Sequence, residues 1–172
     1  MFFDPTFALL IPCIVLALYA QSKVKRTYAK FSKIGSSAGL SGAAHEVGHA
    51  MQHASGYFAL NLRHSFLPVA NIGTWAAFPL FMVGFFFNTP LLMDIGILFY
   101  VVVLSFQVIT LPVEFNASSR AMVQLVDGRY LAAEEGVLAR KVLNAAALTY
   151  VAATATSLMH LVRLLILRGS RD

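Results

Sequence analysis

The chain has 172 residues, of which 58% are apolar and only 12% charged, and its formal net charge is +5. A soluble domain usually carries about 25% charged residues, so this composition excludes an ordinary soluble domain and favours a membrane protein. The length corresponds to one domain, predicted over residues 1–172. The single cysteine, Cys13, cannot form an internal disulfide, so the cysteine count gives no sign of an oxidising compartment.

Four apolar stretches predict four membrane-spanning helices, at about residues 2–20, 66–87, 91–112 and 143–167. A helix needs about 20 apolar residues to cross a hydrocarbon core of about 30 Å. The first stretch is interpreted as a span rather than a cleaved signal, because no basic residues precede it and no A-x-A-like site ends it. No alternating β pattern is present, so we predict an all-α, multi-pass membrane protein.

The basic residues predict the orientation of these helices. Between the first and second spans lie Lys23, Lys25, Arg26, Lys30, Lys33 and Arg63, and between the third and fourth lie Arg120, Arg129, Arg140 and Lys141. The positive-inside rule places both segments in the cytoplasm and both termini outside. Three basic residues near the C-terminal end oppose this assignment, but they are fewer than the ten in the two segments: Arg163, Arg168 and Arg171. The charge therefore indicates topology and contact with the lipid bilayer, and nucleic acid is not an expected partner.

The segments between the spans also predict helices. Residues 21–33 extend the first span as a cationic helix, whereas "IGSSAGLSGAA" at 34–44 gives little support for regular structure. Helical character resumes near Ala43 and continues through His53. Ser41 is a plausible N-cap, and Gly56 is a plausible C′ residue.

Two further helices are predicted in the second half of the chain. One opens at Glu114 and is broken by the "DG" pair at 127–128. The other, "AAEEGVLARKVLNAAALTY", leads into the fourth span. All predicted elements are thus helical.

The sequence HEVGH contains the pattern HExxH at His45, Glu46 and His49. On a helix the two histidines lie one turn apart on the same face, so both can bind one ion at about 2.0–2.1 Å. Glu46 lies beside them, where a carboxylate can take a proton from a metal-bound water. The pattern therefore predicts a zinc site on a cytoplasmic helix. The alternative interpretation is an exposed polar helical turn at the membrane surface.

A catalytic zinc ion usually has three protein ligands and one open position, so a third ligand is expected. The metzincin pattern requires a glycine and a histidine where this chain has Gln52 and Ser55. His53 lies two turns beyond His45, too far along the axis for easy convergence. His64 would have to reach the site through a loop.

Two acidic residues remain as candidates for the third ligand. Asp94 belongs to the other side of the membrane in the predicted topology. Glu114 lies at the cytoplasmic end of the third span, at the same depth as the HEVGH helix. We therefore predict a site of two histidines and one glutamate, with Glu114 as the third ligand and Glu46 as the base.

A different design, the site-2-type intramembrane protease, uses HExxH together with the Asp of an L-D-G motif. This chain has "LVDG", with Asp127 before Gly128. Residues 119–130 carry Arg120 and Arg129 and form no apolar span. An ordinary Asp-Gly turn is the preferred interpretation, and the intramembrane protease stays an alternative.

Other residues could support the reaction. Tyr57, His64 and Arg120 are candidate donors to a developing oxyanion. Asn116 or Ser118 could hydrogen-bond a ligand histidine, or could serve only in capping or packing.

Six segments distributed over nearly the whole chain carry a family resemblance: "FDPT", "LYAQSKVK", "HEVGHAMQHASGY", "PVANIG", "LPVEFNASSRA" and "VLNAAALTYVAA". In these the chain resembles the neutral zinc metallopeptidases of bacterial membranes, the YugP-like family. The resemblance implies a multi-pass zinc metalloendopeptidase of the gluzincin type in the bacterial inner membrane. It implies His45, His49 and Glu114 as zinc ligands, Glu46 as catalytic base, and a peptide or membrane-protein substrate.

The chain departs from that family at one place. In the family a soluble segment with strands separates the "SGLSGA" and "AAHEVGH" motifs, which are joined directly here. In related peptidases such a segment supplies the edge strand on which a peptide is laid. The expected activity is peptide-bond hydrolysis by a zinc-activated water. The alternative is a membrane scaffold or adaptor that retains a zinc site.

Overall fold

The computed structural model describes residues 5–32 and 37–170, and this part of the chain is helical without strands. A 3-10 helix at Pro5–Leu10 leads into five α-helices. They are α1 (Ile11–Ser32), α2 (Ser37–Ala54), α3 (Phe58–Phe86), α4 (Pro90–Asp127) and α5 (Ala133–Gly169). The predicted all-α fold is confirmed. Lys33 and Arg171, which entered the charge argument, lie outside the described residues.

Four of these helices are long and apolar enough to cross a membrane: Ala8–Thr27, Phe58–Phe86, Pro90–Asp127 and Glu134–Gly169. The prediction of four spans is therefore confirmed. The helix that carries HEVGH, α2, is not among them. A helix of 38 residues such as α4 is about 57 Å long, almost twice a hydrocarbon core, so α4 extends beyond the bilayer.

The third span and the helix expected to open at Glu114 form one continuous helix, contrary to the prediction. α4 runs through Pro112 without a break. A proline removes one backbone hydrogen bond, but neighbouring helices in a membrane protein can hold such a helix together. Val113 and Ala117, which follow the proline, are both fully buried.

α2 begins at Ser37, six residues before the predicted start, and Ser41 is a buried residue inside the helix rather than its N-cap. The glycines and serines of this segment have weak helix propensity, but Ser41 and Ala44 are buried in the bundle, and that packing stabilises the helix. The predicted end is confirmed. Gly56 has φ +61°, and the amides of Gly56 and Tyr57 donate to the carbonyls of His53 and Gln52, as in a Schellman motif.

α2 packs against the second half of α4 and the first half of α5. Their shared core consists of Ala44, Ala121, Met122, Leu125, Ala139 and Leu143. A Cβ atom on Gly48 would overlap the carbonyl oxygen of Ala117. Glycine at this position therefore lets α2 lie directly on the backbone of α4.

The opposite end of the bundle is built differently. Phe81, Met93 and Leu164 form an apolar cluster between α3, α4 and α5. Beside it Arg168 Nε donates to Asp94 Oδ1 at 2.7 Å. Asp94 and Glu114 lie on one helix about 20 residues, or about 30 Å, apart, so each end is near one face of a bilayer.

Trp75, the only tryptophan, lies on α3 and points away from the other helices. Its side chain is 83% exposed in the bundle. This side chain therefore lies on the outer surface of the bundle, on one of the candidate spans.

Candidate metal centre

The three residues of the HEVGH pattern project from α2 in the arrangement that helical spacing dictates. The rings of His45 and His49 meet edge to face, with their centroids 4.7 Å apart. Glu114 reaches them from α4. Its Oε2 atom lies 3.2 Å from His45 Nε2 and 3.7 Å from His49 Nε2. The structure thus brings the three predicted ligands together.

This cluster fits a zinc ion. One ligand atom from each of His45, His49 and Glu114 can be chosen so that all lie within 4.8 Å of one another. Zinc bonds of about 2.0–2.1 Å place tetrahedral ligand atoms about 3.3 Å apart, close to the two distances from the Glu114 carboxylate. Two imidazoles and one carboxylate form a ligand set that catalytic zinc sites use.

A polar side chain contacts the other ring nitrogen of each histidine. Ser118 Oγ lies 3.2 Å from His45 Nδ1, and Gln52 Oε1 lies 3.0 Å from His49 Nδ1. Such contacts leave Nε2 to face the cluster and orient the ring. The expected contact to a ligand histidine is therefore made by Ser118. Asn116 instead accepts a hydrogen bond from Gln52 Nε2 at 3.0 Å.

The Glu114 carboxylate is only 3% exposed, and a buried carboxylate requires charged or hydrogen-bonding partners. His45 supplies part of this compensation through the 3.2 Å hydrogen bond between its Nε2 atom and Glu114 Oε2. Arg63, near the start of α3, places its NH1 atom 3.6 Å from Glu114 Oε1. Tyr150 of α5 lines the same two cavities as Glu114. Glu114 is thus the point where α2, α3 and α5 meet α4.

Glu46 is exposed and borders two cavities on either side of the cluster. The larger, about 510 Å³, is also lined by His53, Arg63 and His64. The smaller, about 230 Å³, lies between α2 and α5. Tyr150 lines both. His45, Glu46 and Glu114 line both cavities as well, and His49 lines the larger one.

The three candidate oxyanion donors lie in different places. His64 is in the wall of the larger cavity. Arg120 donates to Asn116 Oδ1 at 2.8 Å and to the Met51 carbonyl at 3.3 Å. Its guanidinium also sits 5.8 Å from the ring centroid of Tyr57. Arg120 and Tyr57 therefore join α2, α3 and α4, with Arg120 directed towards backbone and Asn116.

The aspartates considered as ligands lie elsewhere. Asp94 pairs with Arg168 at the far end of the bundle. Asp127 ends α4 about 13 residues after Glu114, or about 20 Å along the axis. Within residues 5–32 and 37–170, the cluster able to hold a metal consists of His45, His49 and Glu114.

The sequence interpretation missed three residues of this site, and it used one of them, Arg63, only for membrane topology. Gln52 occurs three positions after His49, a spacing that places both on one helix face, and this signal could have identified it. Tyr150 carries no local signal. Its position depends on the antiparallel alignment of α4 and α5, which sequence spacing does not reveal.

Comparison with known proteins identifies relatives of the chain. A protein-family profile described as "Putative neutral zinc metallopeptidase" matches residues 38–169. A Bacillus subtilis (strain 168) protein named "Putative membrane protease YugP" is 46% identical over 134 residues, which are 77% of this chain and 60% of that protein. The chain thus spans about 60% of the length of the curated relative that it matches. No solved structure matches significantly.

Proposed function

Because the chain belongs to the neutral zinc metallopeptidase family, we propose that it hydrolyses peptide bonds as a zinc-dependent membrane endopeptidase. The observation that carries this proposal is the convergence of His45, His49 and Glu114 beside the exposed Glu46. Three ligands and an adjacent carboxylate are the parts that a zinc-dependent hydrolase needs.

In this proposal His45, His49 and Glu114 hold the ion. Zinc, when bound, supplies a Lewis acid that lowers the pKa of a coordinated water and polarises a carbonyl group. Glu46 takes a proton from the attacking water on a carboxylate oxygen as the new carbon–oxygen bond forms. It then gives that proton to the leaving amine as the carbon–nitrogen bond breaks. The proton count balances without a covalent enzyme intermediate.

The cavity walls supply donors for the substrate. The guanidinium of Arg63, the imidazole of His64 and the hydroxyl of Tyr150 all border the larger cavity. Each can donate to a backbone carbonyl oxygen and so orient a peptide across the cluster. A peptide or a segment of a membrane protein is the proposed substrate, because the site adjoins the spans.

We further propose that this end of the bundle faces the cytoplasm of a bacterial cell, with both termini outside. Support comes from the basic residues Arg63, Arg120 and Arg140, which lie at the metal-centre end. Arg168, at the other end, has its charge balanced by Asp94 and so weighs less against this orientation.

Metal analysis and proteolysis test the proposal. The protein purified in detergent or nanodiscs should hold about one zinc per chain. Glu46→Gln should keep the zinc and lower the cleavage of unfolded protein substrates by about 100- to 10,000-fold. His49→Ala should lose zinc and activity together. Absence of zinc from the wild type, or full activity of Glu46→Gln, would refute the assignment.

A membrane scaffold with a zinc site is the second candidate. It is favoured by the direct join before His45, where the family resemblance implies an additional soluble segment. Zinc binding without cleavage that depends on Glu46, across diverse unfolded substrates, would decide for the scaffold.

A further inference from the structure

Gln52 is the most completely enclosed polar side chain at the metal centre, with 0% exposure. Its amide makes three hydrogen bonds. Oε1 lies 3.0 Å from His49 Nδ1, while Nε2 donates to the Val113 carbonyl at 2.8 Å and to Asn116 Oδ1 at 3.0 Å. We propose that Gln52 is a positioning residue that fixes the proton of His49 on Nδ1, so that Nε2 is presented as the metal-binding atom.

The direction of these hydrogen bonds is fixed by two groups, the Val113 carbonyl and the Arg120 guanidinium. The Val113 carbonyl can only accept, so the amide nitrogen of Gln52 must face it. The Arg120 guanidinium can only donate, and it donates to Asn116 Oδ1 at 2.8 Å. The Asn116 oxygen therefore also faces the Gln52 amide nitrogen. Both constraints leave only the Gln52 oxygen to face His49.

An amide oxygen can only accept a hydrogen bond, so a neutral His49 ring must carry its proton on Nδ1. The reverse arrangement would place two acceptors against each other and leave the buried amide without its partners, at a cost of about 1–3 kcal/mol. Nε2 then has a free lone pair, and it faces Glu114. A free histidine side chain in water prefers the proton on Nε2, so the network reverses the usual preference.

His45 lacks this constraint. Its Nδ1 contacts the Ser118 hydroxyl, which can donate or accept. The structure therefore predicts an asymmetry between the two histidines. The tautomer of His49 is set by the protein before metal arrives, whereas that of His45 can adjust when metal binds.

The first test uses the metal-free protein in nanodiscs with ¹⁵N-labelled histidine, at a pH above the ordinary range of histidine titration. Ring-nitrogen shifts should show Nδ1 protonated and Nε2 unprotonated at His49. A His49 ring protonated mainly on Nε2 overturns the proposal. Although the inference concerns the proposed metal site, this readout needs neither zinc nor proteolysis, so its failure is distinguishable from failure of the proposed function.

Two variants separate positioning from a merely structural role. Gln52→Met keeps the side-chain length but removes the strong acceptor. It should release the proton of His49 to Nε2 and weaken Zn²⁺ binding by about 10- to 100-fold. Gln52→Glu keeps an acceptor for Nδ1 but loses both donated hydrogen bonds. It should retain the Nδ1 proton and bind Zn²⁺ more tightly than Gln52→Met. Equal weakening in both variants, in step with lost thermal stability, would assign Gln52 a packing role only.

Discussion

At one end of the bundle, α2 is held on α4 by buried polar groups that hydrogen-bond to one another, with Gln52 and Glu114 at their centre. At the other end, α3, α4 and α5 meet through apolar side chains, and the notable polar contact is the Asp94–Arg168 pair. The Asp94 side chain is 52% exposed, whereas that of Glu114 is 4% exposed. Both carboxylates belong to the same helix.

Burial decides how much the loss of a carboxylate's partner costs. Removing one partner of a buried polar pair leaves the other without compensation, which costs about 1–3 kcal/mol or more for charged groups. An exposed ion pair contributes about 0–1 kcal/mol. Substitutions at the metal-centre end should therefore change function sharply, and those at the far end should not.

The two carboxylates of α4 give the largest expected difference. Glu114→Gln removes one proposed ligand and should weaken Zn²⁺ binding by more than about 100-fold, beyond the effect of losing an outer contact. Asp94→Asn removes the same charge about 30 Å away and should leave Zn²⁺ affinity unchanged. Competition titration with a fluorescent chelator measures both. Similar affinities for the two variants would remove Glu114 from the site.

Substitutions of two glycines of α2 should give effects of intermediate size. Gly48→Ala would push α2 away from the Ala117 carbonyl, which costs about 1–3 kcal/mol and separates the histidines from Glu114. We expect Zn²⁺ binding to weaken by about tenfold or more, corresponding to about 1.4 kcal/mol.

Gly42→Ala is the matched control, because a Cβ atom there meets nothing within 4 Å. Alanine inside a helix should raise stability by about 0.5–1 kcal/mol. Thermal unfolding and Zn²⁺ titration measure both variants. If Gly48→Ala kept wild-type stability and affinity, the close contact of α2 with α4 would be unnecessary.

The smallest effect is expected at the far end. Asp94→Asn removes the exposed pair with Arg168 and should change the free energy of unfolding by less than about 1 kcal/mol. Denaturant or thermal unfolding in detergent, compared at low and high salt, tests this. A loss of several kcal/mol would show that the two ends do not differ as proposed.

Hydropathy was enough to predict the four spans, because a lipid-facing helix must be apolar along its whole length. The proximity of Glu114 to HEVGH was also predictable, since successive antiparallel spans bring alternate helix ends to the same face of the bilayer. The roles of these residues as ligands stay predictions. Both predictions require only the position of each residue along the membrane normal.

What the sequence did not reveal depends on lateral packing. The glycines and serines near the start of α2 at Ser37 have weak helix propensity, and the burial of Ser41 and Ala44 in the bundle is what stabilises this turn. The continuity of α4 through Pro112 likewise depends on its neighbours. Tyr150 joins the site only because α5 packs beside α4. These contacts join residues on different helices, and no fixed spacing in the sequence indicates them.

The outward orientation of Trp75 gives the protein a built-in optical reporter. The one indole of this sequence is 83% exposed on a helix that is long and apolar enough to span a membrane, so its fluorescence reports on a single site of α3. Lipids brominated at chosen carbons would quench that emission according to depth, and would thereby locate α3 along the membrane normal without any added label.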